Sequence, residues 1–450
     1  MNDVRPFRGL RFDETMVGPI GQLLCPPYDV ISASEQVALH NRSPYNAVRL
    51  ELGFELPDDG PANNRYTRAA ATLKRWLAEG ALRPEKQPAL YLYEQQFPLG
   101  EKTLVRRGLL ARLRLARWEE GVVLPHEETL AKPKEDRLRL MRATRYNFSP
   151  LFLLFEDRTG TAQELMASVA AKPPTVVADT QDGQSHRLWV VEGTEQQRLV
   201  AAFRSPQLYM ADGHHRYETA LAYRDERRWA RSALPATEEA TMTADASRPP
   251  TGDPAFDFAM VLLVDAWDPG LVVLPTHRLV RGVDPAMIQG LDGALPGLFE
   301  MERLALDGRS LTDSARLLLQ RMQELSCGGP TFGIYRPRPF GAAVLRLRTL
   351  PESKPGSRPL LDVDVLHEML MAPLMGIGPA HLKAETHVAY TRDAVEALAA
   401  VDRGDAQVAL LLNPTRVEQV LSTARAYGKM PQKSTYFYPK PVTGLVFNPL

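Results

Sequence analysis

The sequence predicts an α+β protein. Period-2 and period-3.6 hydrophobic patterns both recur along the chain without a regular strand–helix beat, so the order is mixed, at most a loose α/β arrangement. At 450 residues the chain exceeds one core of ordinary size, which implies about two or three domains or subdomains. A composition of 44% hydrophobic and 24% charged residues is that of a soluble globular protein.

The elements follow in order. The first stretch is irregular around "CPPYDVIS" (Cys25 to Ser32), and "YNAVRLELG" (Tyr45 to Gly53) reads as a short strand because Val48, Leu50 and Leu52 alternate with Arg49 and Glu51. An Asn cap and the stop at Gly80 frame a helix from Asn63 to Ala78. "ALYLYEQQF" and "RRGLLARLRL" read as paired strands joined by the turn chemistry of "PLGEK". A loop at Pro125 to Thr129, a helix over Pro133 to Thr144 and an apolar strand Leu151 to Phe155 come next, with another strand near Arg187 to Val191. "FAMVLLVDAWDPGLVVLPTHRLV" has the pattern of a β-hairpin turning at Asp268-Pro269-Gly270. Before it, the Ala/Thr/Pro-rich "SALPATEEATMTADASRPPTGDPAFD" reads as a flexible loop or lid. Beyond Val283 helical patterns dominate ("DSARLLLQRMQEL", "DAVEALAAV", "VEQVLSTARAYG"), with strands such as "QVALLL" between them.

Lys+Arg and Asp+Glu both number 54, so the balanced charge gives no footprint for nucleic acid. No apolar run approaches roughly 18 residues and the N-terminus has no signal-like apolar region, so neither membrane spanning nor export is expected. The two cysteines, Cys25 and Cys327, make no disulfide framework, and a cytoplasmic protein is expected. No HxxxH or CxxC spacing marks a zinc site.

The stretch "LYMADGHHRYETALAY" (residues 208 to 223) carries the most chemistry. An apolar strand delivers Asp212-Gly213 into a helix beginning near His215 or Arg216. The unpaired N–H groups and dipole of such a helix start attract anions. Gly213 permits close backbone approach, His214, His215 and Arg216 add donors for phosphate oxygens, and Asp212 can hold Mg²⁺ or a substrate hydroxyl. The plain alternative is that Asp212 caps the helix while the histidines pack or face solvent.

Further candidates each carry an ordinary alternative. Lys132, Lys134 and Arg137 can reach a triphosphate or form a solvated helix face. His126 can orient Glu127 or contact phosphate. Arg49 can clamp a substrate carboxylate or sit on an edge strand. Asp29 lines a cleft in a rigid Pro-Pro-Tyr context, with Tyr28 stacking on a ligand or filling the core. His277 and Arg278 of "LPTHRLV" can contact substrate or lie at a strand edge. The tail "MPQKSTYFYPKPVTGLVF", with Lys433, Ser434, Thr435, Tyr436, Tyr438 and Lys440, can close over a site or dock through its aromatics.

"ADGHHRYETA" resembles the phosphate-binding motif of the ParB/sulfiredoxin superfamily, and "LPHEETL" before a helix and "SPLFLL" resembles a box of ParB-like free serine kinases. Together with "PPYDVIS", "LPTHR" and "MPQKSTYFYPK", these motifs make the whole chain similar to the bacterial family labelled domain of unknown function 1015, whose members are implicated as ATP-dependent free L-serine kinases. The resemblance implies a ParB/sulfiredoxin-like mixed-sheet core at 96–285, an N-terminal segment 1–95 contributing to the cleft, and a C-terminal α/β region 286–450 with a docked tail. It assigns phosphate contacts to Gly213, His214, His215 and Arg216, with Lys132 in support. Asp212 would orient the serine hydroxyl or the metal. Glu127 matches the kinase glutamate, with the adjacent Glu128 the other register. Glu127, Asp212 and His215 then form the catalytic set, and Asp29, Arg49, His126 and His277 the substrate contacts.

The implied activity is phosphoryl transfer from ATP or ADP, with Mg²⁺, to the hydroxyl of a small substrate, foremost free L-serine. That chemistry needs a carboxylate near the attacking hydroxyl and cations around the phosphates. The alternative is a non-catalytic nucleotide-binding ParB-like regulator, against which stand the balanced charge and the lack of a helix-turn-helix pattern after the motif. Sulfiredoxin chemistry needs a cysteine in the phosphate loop, and residues 212–216 contain none. The expected partners are a nucleotide and a small molecule, without nucleic acid or membrane, and a homodimer stays open.

Overall fold

The computed structural model describes residues 1–127, 131–232, 252–350 and 358–450, with backbone only at 131–133. Most of the Ala/Thr/Pro-rich segment read as a lid (233–251) and Glu128 lie outside the described residues. The chain folds as two compact units: residues 1–125, 129–272 and 439–450 form the first, and 126–128 with 273–438 the second.

The first unit is built on a mixed sheet of nine strands. These are β1 (Val4–Arg5), β2 (Leu90–Leu99), β3 (Lys102–Arg114), β4 (Val123–Leu124), β5 (Leu151–Phe155), β6 (Val176–Asp179), β7 (Ser185–Val191), β8 (Leu208–Asp212) and β9 (Phe258–Asp265). Their order is β4-β8-β5-β9-β3-β2-β7-β6, with β1 pairing on β3. The pairs β8–β4 and β9–β5 are parallel and the rest antiparallel. Every residue of β5 and β9 is buried, as strands covered on both faces require.

The longer helices that pack on or beside this sheet include α1 (Arg65–Ala78), α2 (Ala131–Thr144), α3 (Thr161–Ala170), α4 (Gly193–Ala202) and α5 (His214–Ser232). One face of the sheet, carrying Leu109, Ala111, Leu113, Leu151, Leu153 and Phe155, packs against apolar residues of α2 to α5. The opposite face receives the C-terminal segment. Arg112 of β3 donates to Asn448 Oδ1 (2.6 Å) and also bonds the Pro449 carbonyl, and Phe447 packs edge-on against Phe12 and Phe148.

The α+β class, the β2–β3 hairpin, β5 and α1 agree with the sequence patterns. Two segments differ. Val48–Glu51 is one turn of helix, not a strand. Asn46 decides this: its Nδ2 donates to the Gln22 and Leu24 carbonyls while its Oδ1 accepts from Val48 N–H at 3.0 Å, turning the chain into helix. The hairpin at Asp268-Pro269-Gly270 does not form either, although the turn does, with Gly270 N–H donating to Asp268 Oδ1 at 2.8 Å. Both edges of β9 are taken by β3 and β5, so the chain after the turn has no edge to pair with.

The second unit holds a six-stranded antiparallel sheet in the order Phe299–Leu304, Gly341–Leu347, Thr331–Arg336, Val408–Leu412, His277–Val280, Val388–Thr391. The helices Leu311–Leu325 and Ala394–Asp402 cover one face through Ala315, Leu318, Met322, Ala397, Leu398 and Val401.

Candidate functional site

In the first unit the candidate site is the passage from β8 into α5. Leu208 and Met210 face the helices, so strict alternation would send Asp212 the same way. The register slips instead: Met210 pairs with Leu153 but Asp212 pairs with Phe152. The extra residue, Ala211, is a bulge that turns the Asp212 side chain to the face of the C-terminal segment. Gly213 follows at φ +99°, where a Cβ would sit 3.0 Å from Leu151 Cδ2 and 3.2 Å from Arg216 Nη2. Backbone and space both require glycine there. His214 opens the helix, Tyr217 N–H bonds the Gly213 carbonyl at 2.9 Å, and the positive end of the helix dipole lies at the turn.

Two cations engage the Asp212 carboxylate. Asp212 Oδ2 accepts from Arg216 Nη2 at 2.6 Å, and its Oδ1 is ion-paired with Lys440 Nζ. Arg216 also donates to the Pro150 carbonyl at 2.7 Å, which fixes the guanidinium. Arg106 of β3, almost fully buried, lies 4.8 Å over the Phe152 ring and donates to the Pro439 carbonyl at 2.6 Å, one residue before Lys440. Burial lowers its pKa to about 10, which leaves it charged at neutral pH. Two cations, Arg216 and Lys440, therefore meet on Asp212 at the turn.

His214 is buried, with its ring 6.4 Å from that of Trp118. His215 is half-buried. Burial lowers its pKa, Lys134 and Arg216 push the same way, and Glu218 and Asp29 oppose. Asp29 is exposed on the single turn Tyr28–Val30, close enough for its charge to bear on His215. Tyr28 lies under the Arg137 guanidinium at 4.0 Å, and burial pushes its pKa up to about 12. Lys134 pairs with Glu218 at 2.7 Å, and Lys132 falls on the first turn of α2. Arg49 donates to the backbone carbonyls of His40 (2.7 Å) and Ser43 (3.4 Å), an architectural engagement. The fold thus groups Asp29 and the Asp212–Arg216 turn.

His126, Glu127 and His277 belong to the second unit. His126 is fully buried; its Nε2 is 3.0 Å from Thr435 Oγ1 and its carbonyl accepts from Met430 N–H at 2.7 Å. Glu127 forms a parallel bridge with Met430. The "LPHEE" and "MPQKST" motifs, about 300 residues apart in sequence, are therefore neighbours within one unit. His277 is buried on its strand, its Nδ1 accepting from Leu412 N–H at 3.2 Å, and burial lowers its pKa to about 4.

Sequence reasoning left out Arg106 and did not place Lys440 at the turn. The signals present were an arginine inside an apolar strand and a lysine in a rigid proline–aromatic tail. No group of three or more His, Cys, Asp or Glu side chains is gathered to hold a metal among the described residues. No helix among them is long and apolar enough to cross a membrane.

Fold and site together define a two-unit α+β protein with a cationic strand–glycine–helix turn. The chain belongs to the family described as "Protein of unknown function (DUF1015)", whose model matches residues 4–346. No curated protein matches it. Among solved structures, a conserved hypothetical protein from Pyrococcus furiosus is similar at a TM-score of 0.34 and 12% identity, covering 75% of this chain and 93% of that one. A free serine kinase in complex with AMP is similar at 0.34 and 10%, covering 73% and 86%. SbnI with a C-terminal truncation, from Staphylococcus aureus, is similar at 0.33 and 8%, covering 74% and 85%. Likenesses this slight assign no chemistry to the present chain.

Proposed function

We propose that this protein is a phosphotransferase with a ParB/sulfiredoxin-like core, moving a phosphoryl group from ATP or ADP to the hydroxyl of a small substrate, foremost free L-serine. The observation that carries the reading is the glycine turn from β8 into a helix N-terminus, where Arg216 and Lys440 both meet Asp212, the kind of donors a polyphosphate needs. In this reading the backbone of Gly213 and the side chains of His214, His215 and Arg216 hold the phosphates, with Lys132 a further candidate. Glu127 takes the proton of the serine hydroxyl as its oxygen bonds to the terminal phosphorus, and the bond to the bridging oxygen breaks, leaving the shortened nucleotide. Asp29, Arg49, His126 and His277 stand as candidates for substrate contact. Both oxygens of Asp212 are engaged by cations and no group of three or more His, Cys, Asp or Glu gathers among the described residues, so the described side chains do not fit a resident metal. Magnesium then belongs to the nucleotide as its counter-ion, as is common for this cation.

The test is ADP release from ATP and Mg²⁺ with each of the 20 amino acids in turn. Serine-dependent turnover is expected, and Glu127→Ala should lower kcat by roughly 10²- to 10⁴-fold, as for removal of a general base. Absence of turnover with any hydroxyl amino acid, or an unaltered rate in the variant, rejects the reading; nucleotide binding without turnover would favour a regulatory protein instead.

A further inference from the structure

In the first unit a cavity of about 460 Å³, its open mouth included, lies between α2, α5 and the first residues of β5 and β9. Much of its wall is apolar, as at Leu140 and Phe148, and three charged side chains interrupt it: Glu51, Arg137 and Arg216. The helical turn Val48–Glu51, which Asn46 sets, brings Glu51 here, where it is only 2% exposed. Ser149 Oγ donates to its Oε1 at 3.1 Å, and Arg137 Nη1 lies 3.6 Å from the same oxygen. Oε2 has no hydrogen-bond partner among the described residues. A carboxylate oxygen enclosed in this way calls for a donor from within the cavity.

The cations of the wall are fixed in place. Arg137 donates from Nε to Asp136 at 2.7 Å and from Nη1 to the Glu51 carbonyl at 2.8 Å. Arg216 also engages Asp212, so the cavity shares a wall with the glycine turn. One carboxylate and two guanidiniums around a small, largely apolar pocket complement a zwitterion better than a simple cation or anion. We propose that this cavity is the pocket for a small amino acid and that Glu51 receives its ammonium group, while the two arginines supply charge for its carboxylate. That this occupant is the phosphoryl acceptor rests on the phosphotransferase reading, and the shared wall is what brings an acceptor beside the phosphates.

Calorimetric titration of the full chain with L-serine, with glycerate and with ADP tests this, alongside serine-dependent ADP release and a thermal melt. Glycerate carries a hydroxyl where serine carries its ammonium, and wild-type protein is expected to bind serine roughly tenfold or more tightly. Glu51→Gln should erase most of that preference and leave ADP affinity unchanged, a pattern that a merely structural glutamate would not give. Leu140→Trp, which fills part of the cavity without altering a charge, should weaken serine and glycerate alike and spare ADP. Equal wild-type affinity for serine and glycerate overturns the proposal, and so does a folded Glu51→Gln protein that keeps the preference. If Glu51→Gln fails to fold, unaltered serine affinity in a folded Leu140→Trp protein places the amino acid elsewhere and overturns it; if neither variant folds, the wild-type comparison decides. Serine binding that depends on Glu51 without serine-dependent ADP release defeats the phosphotransferase reading and leaves the amino-acid pocket in place.

Discussion

Gly213 is the most constrained residue of the turn, with φ at +99° and Leu151 Cδ2 at 3.0 Å from where a Cβ would stand. Gly213→Ala should destabilise the first unit by about 1–3 kcal/mol through left-handed backbone strain and crowding. It should also push Arg216 Nη2, 3.2 Å from the new carbon, off Asp212. A urea melt measures the first effect and nucleotide titration the second; a variant as stable as the parent would show that the backbone relaxes without cost. At this scale the sequence displayed the chemistry but not its direction. Asp212, Gly213, His214, His215 and Arg216 are readable as an anion-binding set, whereas the bulge at Ala211 that puts Asp212 on the face of Lys440 leaves no local pattern.

Among elements, the C-terminal segment ties the candidate site to the sheet. Asn448 is fully buried; its Oδ1 accepts from Arg112 Nε at 2.6 Å and its Nδ2 donates to Asn147 Oδ1 at 2.9 Å, and Asn147 in turn accepts from Met260 N–H at 3.0 Å. Asn448→Ala removes one side of each bond and leaves a buried guanidinium N–H unanswered. The expected cost is about 2–4 kcal/mol, with proteolysis of the tail rising alongside; a loss below about 0.5 kcal/mol would mean the tail is not anchored there. Elements whose pattern and partners are local were legible: Leu151–Phe155 by its apolar run, Arg65–Ala78 by its Asn64 cap and the Gly80 stop. Those decided at a distance were not. The alternation at Val48–Leu52 is too short to separate a strand from one helical turn, and Asn46 settles it by reaching Gln22 and Leu24. The Asp268 turn looks like a hairpin until one knows that β9 is already paired on both edges.

For the molecule as a whole, four histidines set a dependence on acid. Burial lowers the pKa of His40, His186 and His277 from 6.5 to about 4 and that of His367 to about 3, with the charges of Arg49 and Arg278 adding to the effect at His40 and His367. The unfolded chain binds protons near pH 6.5 that the folded chain refuses until about pH 4, so the stabilisation is whole above pH 6.5 and is lost as pH falls through that window. Each buried histidine steepens the loss by about 1.4 kcal/mol per pH unit where its protonation differs fully between the two states. His40 and His186 lie in the first unit and His277 and His367 in the second, so both should weaken together. Unfolding at pH 5.3 should take up roughly one proton per buried histidine, read from the slope of stability against pH. His186→Gln keeps a partner for the Tyr93 hydroxyl, 2.9 Å from Nδ1, and removes the titrating ring. It should lower the proton uptake on unfolding of the first unit by about one. An unchanged slope in that variant would mean that water reaches His186 in the folded state and that its ring titrates as it does in the unfolded chain.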